Sequence, residues 1–523
     1  MKEQEKQLEN KERANGYPDL MILDMDGTIV IEPNFYKQIY SGTLIDTIRE
    51  EKGEEGLRTL QYYRENFEGK GELALGALGI PFSKWAAKLN AAPLDAISPR
   101  PDIVEKMRSV PSKKVVFTGS PKELAYRILT QFGFDPENDF DLIVGWEEPE
   151  LSPLKWNCSP FVFLGICDRL GIPPQRTWAL GDNWETDLQP PQALGMKTVQ
   201  INKQSGFPDK RYANLSDMCV ALESEAYKPY VVSADIQLIL KRWANKRGFV
   251  LPDDIVFKKI RDNFSTYMRS LFPNFILISE ENITESVRQL TQEETTPIVS
   301  LDGNYYPSPY NIELTRLVND KGENKGLGRR FGTSSLRKQF KDLEILKAKG
   351  ITEISIFDDV GFSGEQLNKI INILQKLEFT VKNVYLGVAI KDAIDVLQKK
   401  GIPVKYVKYF DSVRDEICER DFYPGVPQSG RTLKDSENNI GLPYLLPFGN
   451  PEIWASIPTN DVKEFSIFCI NQSIELFQAI ENASQKVVRN YDIERLPIGI
   501  NPTEERFVDT LIKIKKELQQ KLL

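Results

Sequence analysis

The sequence predicts an α/β protein with two parallel-sheet domains. Three observations predict it. Short apolar runs alternate with helix-period stretches through both halves of the chain, the pattern of strand–helix–strand units. Several of these runs close on aspartates, as buried strands do when they bring polar groups to the carboxyl edge of a sheet. The chain has 523 residues, more than one core of ~100–200 residues holds.

In the first half the strand-like runs are "LMILDMD", "KKVVFTG", "FDLIVG", "TWALGD" and "KTVQI". In the second half "TPIVSLDG", "EISIFDDV", "VKNVYLGVA" and "IPVKYVKYF" play the same part. The boundary between the halves is placed in "SEAYKPYVVSAD", residues 224–235. Residues 1–15 are charged, lack an apolar signal core, and are expected to be a solvated lead-in. Residues 230–295 are expected to be a helical connecting segment, and 446–523 a helical C-terminal region. The last helix should start near Asn501, Pro502 and Glu504 and turn Phe507, Leu511, Ile514 and Leu518 to one face.

The 67 Lys and Arg against 75 Asp and Glu leave a net charge of −8. That argues against a nucleic-acid partner gripped by a positive field. No apolar run reaches the ~18 residues of a membrane span. The five cysteines show no CxxC pair, which suits a cytoplasmic, reduced protein. The chain has no histidine, so its chemistry must rest on carboxylates, Lys, Arg, hydroxyls and backbone amides. A homo-oligomer or a protein partner stays open.

"DMDGT" places Asp24 and Asp26 two apart, on one side of an extended strand. Paired acids suit a metal, or a nucleophile beside an acid/base. "FTGSPKE" ends a strand at Thr118 and offers Ser120, Pro121 and Glu123 as a capping-box helix start, with free amides for a phosphate. Lys155 follows in "LSPLKWNCSPF", and "WALGDNWETD" closes another strand with Asp182 and Asp187. A site of several carboxylates without histidine suits Mg²⁺.

This order of motifs resembles the haloacid dehalogenase-like hydrolases, over residues 16–225. The resemblance implies a Rossmann-like core with a helical cap at about residues 35–98. It implies that Asp24 is the nucleophile that takes a phosphoryl group and Asp26 the general acid/base. Thr118 and Lys155 would hold the phosphate, with Asp24, Asp26, Asp182 and Asp187 around Mg²⁺. Trp156 departs from the family's usual proline after the lysine. The cap stretch "YYRENFEGKGELALGALGI" is similar to pyrimidine 5′-nucleotidases of this superfamily, and makes Tyr62, Tyr63 and Arg64 candidate substrate contacts.

"ITEISIFDDVGFSGEQL" repeats the opening logic: a strand ends in Asp358 and Asp359, then a small-residue loop from Gly361 to Gly364 leads into a helix. Such turns bind phosphate through backbone amides, and acids accept hydrogen bonds from sugar hydroxyls. The pattern, with Ser363 and Gly364, resembles the loop of type I phosphoribosyltransferases that binds phosphoribosyl pyrophosphate (PRPP). It departs at Glu365 and Gln366, where a small or hydroxyl residue is usual. The resemblance covers residues 296–445. It puts Asp302 and Gly303 in a pyrophosphate loop, Arg329 and Arg330 in a flap over the pyrophosphate, and Ser429 and Arg431 in a base-binding hood. The implied domain is a parallel sheet with helical additions.

The expected function is a Mg²⁺-dependent phosphatase for nucleoside monophosphates or related sugar phosphates, fused to a domain that binds PRPP or a nucleotide. Such domains also resemble predicted effectors of prokaryotic conflict systems. The alternative expectation is therefore a nucleotide-sensing or nucleotide-depleting effector in defence or stress.

Overall fold

The computed structural model describes residues 17–520, apart from 68–70, 147–158, 320–322, 331–332, 429–430, 435–439 and 498. The chain divides into two compact units, one of residues 16–226 and one containing residues 227–523. Among the described residues no helix is long and apolar enough to cross a membrane.

The N-terminal unit has six strands: β1 (Leu20–Leu23), β2 (Lys113–Phe117), β3 (Leu142–Val144), β4 (Thr177–Gly181), β5 (Lys197–Ile201) and β6 (Lys210–Tyr212). They form one sheet in the order β3-β2-β1-β4-β5-β6, parallel throughout. This is a doubly wound order, and its direction reverses between β1 and β4. Successive side chains of β1 enter different cores. Met21 and Leu23 pack into the cluster that holds the helices, while Leu20 and Ile22 pack with Val115, Phe117 and Ala179. A strand buried on both faces reads as an unbroken apolar run, which is why "LMIL" lacks alternation. Between β1 and β2 the chain builds helices, including Gly42–Asn66 and Phe82–Ala91. Their buried Leu44, Ile48, Leu60, Trp85 and Leu89 join the first of these cores.

The second unit contains β7 (Tyr230–Ser233), β8 (Phe275–Ile278), β9 (Ile298–Ser300), β10 (Leu314–Val318), β11 (Asn324–Arg329), β12 (Glu353–Gly361), β13 (Thr380–Ile390), β14 (Val404–Phe410), β15 (Asp415–Cys418), β16 (Arg431–Lys434) and β17 (Ile440–Gly441). A four-stranded sheet runs β14-β13-β12-β9 and a three-stranded sheet runs β15-β7-β8, both parallel. A third, mixed sheet has the order β11-β10-β16-β17.

Two expectations are corrected here. Residues 230–295 are not a purely helical connection, because "YVVS" and "FILI" form β7 and β8. Each run is only four residues long and sits between strong helical patterns, so length alone hid it. The last helix, Phe507–Gln520, starts later than its apparent cap. Residues before it pair with the chain near 490 instead: Asn490 N donates to Glu505 O at 2.9 Å, and Arg489 bridges Arg506. The helix buries Phe507, Val508, Leu511 and Leu518 in the core that also takes Phe465, Phe477 and Trp243.

Candidate functional site

Three strand ends meet at the switch point of the first sheet. Asp24 follows β1, Thr118 follows β2 and Asp182 follows β4. Asp187 arrives on the short π-turn Trp184–Leu188, whose start is capped by Asn183. Its carboxylate accepts from Asn183 N at 3.0 Å and from Thr186 Oγ1 at 2.9 Å. Asp24, Asp182 and Asp187 each offer a carboxylate oxygen, all within 4.8 Å of one another. Gly27 makes this approach feasible. Its φ is +87°, and a Cβ there would lie 2.5 Å from an Asp182 oxygen. Thr28 Oγ1 donates to Asp24 Oδ2 at 3.2 Å.

Asp26, expected among the groups around Mg²⁺, lies outside this cluster of carboxylates. The chain leaves the strand after Leu23 and turns, and three hydroxyls hold the Asp26 carboxylate. Ser120 Oγ donates at 2.9 Å, Thr118 Oγ1 at 3.3 Å and Tyr40 OH at 3.2 Å. Burial and the neighbouring Asp26 charge push the Tyr40 phenol well above its ordinary range, so it stays a donor. Ser120 was expected to cap the helix that follows; that helix, Lys122–Phe132, has no side-chain cap, and the Ser120 hydroxyl serves Asp26 instead.

Sequence reasoning missed Tyr40 and Lys203. Lys203 Nζ lies 2.6 Å from Asp182 Oδ2. It sits just past β5, on the same sheet edge as the acids, and that position was its signal. Tyr40 lies in a helical stretch and carried none. Lys155 falls outside the described residues. In the helical insert, Tyr62 is 57% exposed, Tyr63 stacks on Phe67 at 5.0 Å, and Arg64 donates to Ser41 Oγ at 2.7 Å.

The second unit repeats the arrangement at larger scale. Asp235 follows β7, Asp302 follows β9, Asp358 and Asp359 lie near the end of β12, and Arg420 follows β15. Arg420 is fully buried. Its NH2 donates to Asp302 Oδ2 at 2.8 Å and Asp359 Oδ2 at 3.1 Å, and its backbone N donates to Asp235 Oδ1 at 2.9 Å. Arg330 NH2 donates to Asp302 as well, at 3.0 Å. Burial would raise the Asp302 carboxyl, but Arg420 and Arg330 outweigh it and hold that carboxyl below its ordinary range. Asp359 goes the other way, raised by burial and by Asp302.

The expected pyrophosphate clamp is not brought together. Neighbours on extended backbone point to opposite sides: Arg330 turns inward to Asp302, while Arg329 stays exposed and donates to Thr333 O at 2.5 Å. The Gly303 carbonyl accepts from Arg242. The loop from Gly361 to Gly364 does border an open cleft, together with Asp358, Asp359 and Ser363. Its glycines also answer packing. A Cβ on Gly361 would meet Leu386 at 2.6 Å, and Gly364 has φ +74°. Arg431 lines the cleft, whereas Ser429 falls outside the described residues. Glu416, Arg316 and Tyr444 line it too and were missed, although "DEICERD" has the same strand-then-acid form.

Glu416 gives a pH prediction. It accepts from Ser233 Oγ at 2.9 Å, and burial and the Asp359 charge push its carboxyl from 4.5 up to about 8. A raised carboxyl is protonated in the folded state. Its stabilising contribution is whole below 4.5 and is lost as the pH climbs through about 8. Glu416→Gln keeps the shape without the charge. Thermal unfolding should show the variant matching the parent near pH 5 and exceeding it above pH 8, by on the order of a few kcal/mol. A parallel offset at all pH values would refute this.

Comparison with known proteins bears on the first unit. The family model for haloacid dehalogenase-like hydrolases matches residues 18–195. N-acylneuraminate-9-phosphatase of Rattus norvegicus is 40% identical over 68 residues, 13% of this chain and 25% of that protein. The chain thus spans about a quarter of the length of the curated relative it matches. Among solved structures, a HAD phosphatase from Thermococcus onnurineus is 20% identical, covering 39% of this chain and 97% of its own, with a TM-score of 0.28. β-Phosphoglucomutase from Clostridium difficile is 14% identical, covering 40% and 97%, with a TM-score of 0.27. The family match makes residues 18–195 similar to a haloacid dehalogenase-like hydrolase domain.

Proposed function

We propose that the N-terminal unit is a Mg²⁺-dependent phosphatase of small phosphorylated metabolites, either sugar phosphates or nucleoside monophosphates. The observation that carries this is the convergence of Asp24, Asp182 and Asp187 within 4.8 Å, next to an Asp26 wrapped by hydroxyls. The name of the rat relative, N-acylneuraminate-9-phosphatase, favours a phosphorylated sugar. Three carboxylates with neither Cys nor His are the donors that Mg²⁺ takes. Asp24, Asp182 and Asp187 would hold it, and when bound it offsets the repulsion between carboxylate and phosphate.

The chain's own residues do the rest. An Asp24 oxygen forms a bond to phosphorus as the ester bond to the leaving oxygen breaks. Asp26 gives that oxygen a proton. It then takes one from the water that attacks the phosphorylated Asp24, which frees the carboxylate and inorganic phosphate. The Thr118 hydroxyl and, by resemblance, Lys155 steady the phosphate oxygens. The test is phosphate release by the full chain from a panel of sugar phosphates and nucleoside monophosphates, with Mg²⁺ and with chelator. No chelator-sensitive release from any of them overturns the reading.

We further propose that the cleft of the second unit binds a ribose 5-phosphate group, as in PRPP or a nucleotide. Supporting this are the acids at a parallel-strand end, the Gly361–Gly364 loop that starts a helix, and the cleft they share. Asp358 and Asp359 would hold the sugar hydroxyls, and Ser363 with the loop amides the phosphate. Charged hydrogen bonds contribute roughly 1.5–3 kcal/mol each, so Asp358→Ala with Asp359→Ala should weaken binding at least about tenfold. Calorimetry with ribose 5-phosphate and PRPP measures it, and equal binding by both proteins sinks the assignment. Binding without turnover of PRPP would mark a sensing domain.

A further inference from the structure

The cleft of the second unit carries two arginines that the sugar and phosphate contacts above leave unused. Arg316 on β10 and Arg431 on β16 both line it. The two strands are parallel neighbours, and Arg316 is the direct cross-strand partner of Arg431. Side chains so paired stand on the same face, and like charges directly opposite destabilise a sheet.

The two are not equivalent. Arg431 is anchored. Its NH1 donates to Trp454 O at 2.7 Å, and its guanidinium lies 5.7 Å from the Tyr444 ring and 5.6 Å from the Trp454 ring. Arg316 is half-buried, and its side chain makes no hydrogen bond or ion pair among the described residues, with Asp358 and Glu365 acting on it only as nearby charges. Burial and the Arg431 charge lower the Arg316 pKa from its ordinary range. An unpartnered guanidinium beside a second one, facing a polar cleft, is an arrangement that a bound anion would relieve. The planar forks of arginine match carboxylate and phosphate groups.

We infer that Arg316 and Arg431 form a subsite for an oxyanion, a carboxylate or phosphate group of the small molecule that occupies the cleft. The inference rests on the reading of the cleft as a ligand site, but not on ribose contacts to Asp358 and Asp359. The occupant therefore carries an anionic group beyond the one seated on the Gly361–Gly364 loop.

The experiment is thermal unfolding of the full chain in chelator, with chloride-matched inorganic phosphate or malonate added. The parent Tm should rise by about 2–4 °C with at least one of them. Phosphate alone, malonate alone, or both identify the group that fits. Arg316→Gln should have a Tm at or above the parent's without anion, because the like-charge pair is gone, and should lose the response. Arg316→Lys should recover part of it. A parent that ignores both anions, or an Arg316→Gln chain that responds as the parent does, overturns the inference. The Asp358→Ala, Asp359→Ala chain should keep the response, so failure of the ribose reading and failure of this one are told apart.

Discussion

Replacing Asp24 with asparagine should lower phosphate release by at least ~10²-fold, the scale of losing a principal catalytic group. The side chains are nearly the same size, and an amide oxygen can take the place of Asp24 Oδ2, which accepts from Thr28 Oγ1 at 3.2 Å. What changes is charge. A neutral amide is a poor nucleophile toward phosphorus, and the cluster with Asp182 and Asp187 loses one of its anions. Two effects follow that a folding defect would not produce. The Mg²⁺ concentration for half-maximal residual activity should rise. Stability without metal should hold or increase, since three carboxylates within 4.8 Å repel one another. Steady-state phosphate release, a Mg²⁺ titration and thermal unfolding of both proteins check all three. Turnover within a few-fold of the parent would remove Asp24 from the chemistry.

The strand ends were the legible part of this chain. "LMILDMD", "TWALGD" and "EISIFDDV" each couple a buried strand to acids, and strand burial and edge chemistry are both local properties. The parallel α/β class followed from the same runs. What stayed hidden depends on contacts far apart in sequence. Tyr40 reaches Asp26 from a helix, and nothing in "YKQIYSG" distinguishes it from a packing tyrosine. Ser120 looked like a cap because sequence spacing describes the helix it precedes, not the carboxylate across the sheet. Arg330 looked like a phosphate ligand because it sits in a Gly-rich, charged stretch, yet its carboxylate partner, Asp302, is 28 residues away. The register that sets Arg316 against Arg431 joins strands that are consecutive neither in sequence nor in motif.

Arg420→Met should destabilise the C-terminal unit by about 3–5 kcal/mol, the cost of leaving buried charges without their partner. Arg420 is the cation between the ends of β7, β9 and β12. Its Nε lies 3.1 Å from Asp235 Oδ2, and its NH2 reaches Asp302 at 2.8 Å and Asp359 at 3.1 Å. Methionine fills much of the same volume, so the loss is chiefly electrostatic. Asp302 keeps Arg330 at 3.0 Å; Asp235 and Asp359 are the orphans. Burial already raises both carboxyls against the pull of Arg420, and without it they should rise further. A carboxyl raised in the folded state costs stability as the pH climbs through its folded pKa, and the cost disappears in acid. The deficit of Arg420→Met should therefore be largest at neutral pH and shrink toward pH 5. Adding Asp235→Asn should restore part of the loss at neutral pH. Hydrogen exchange across β9, β12 and β15, measured at both pH values, reads the deficit in this unit directly. A deficit that does not depend on pH would make Arg420 a packing residue rather than the charge that holds these strand ends together.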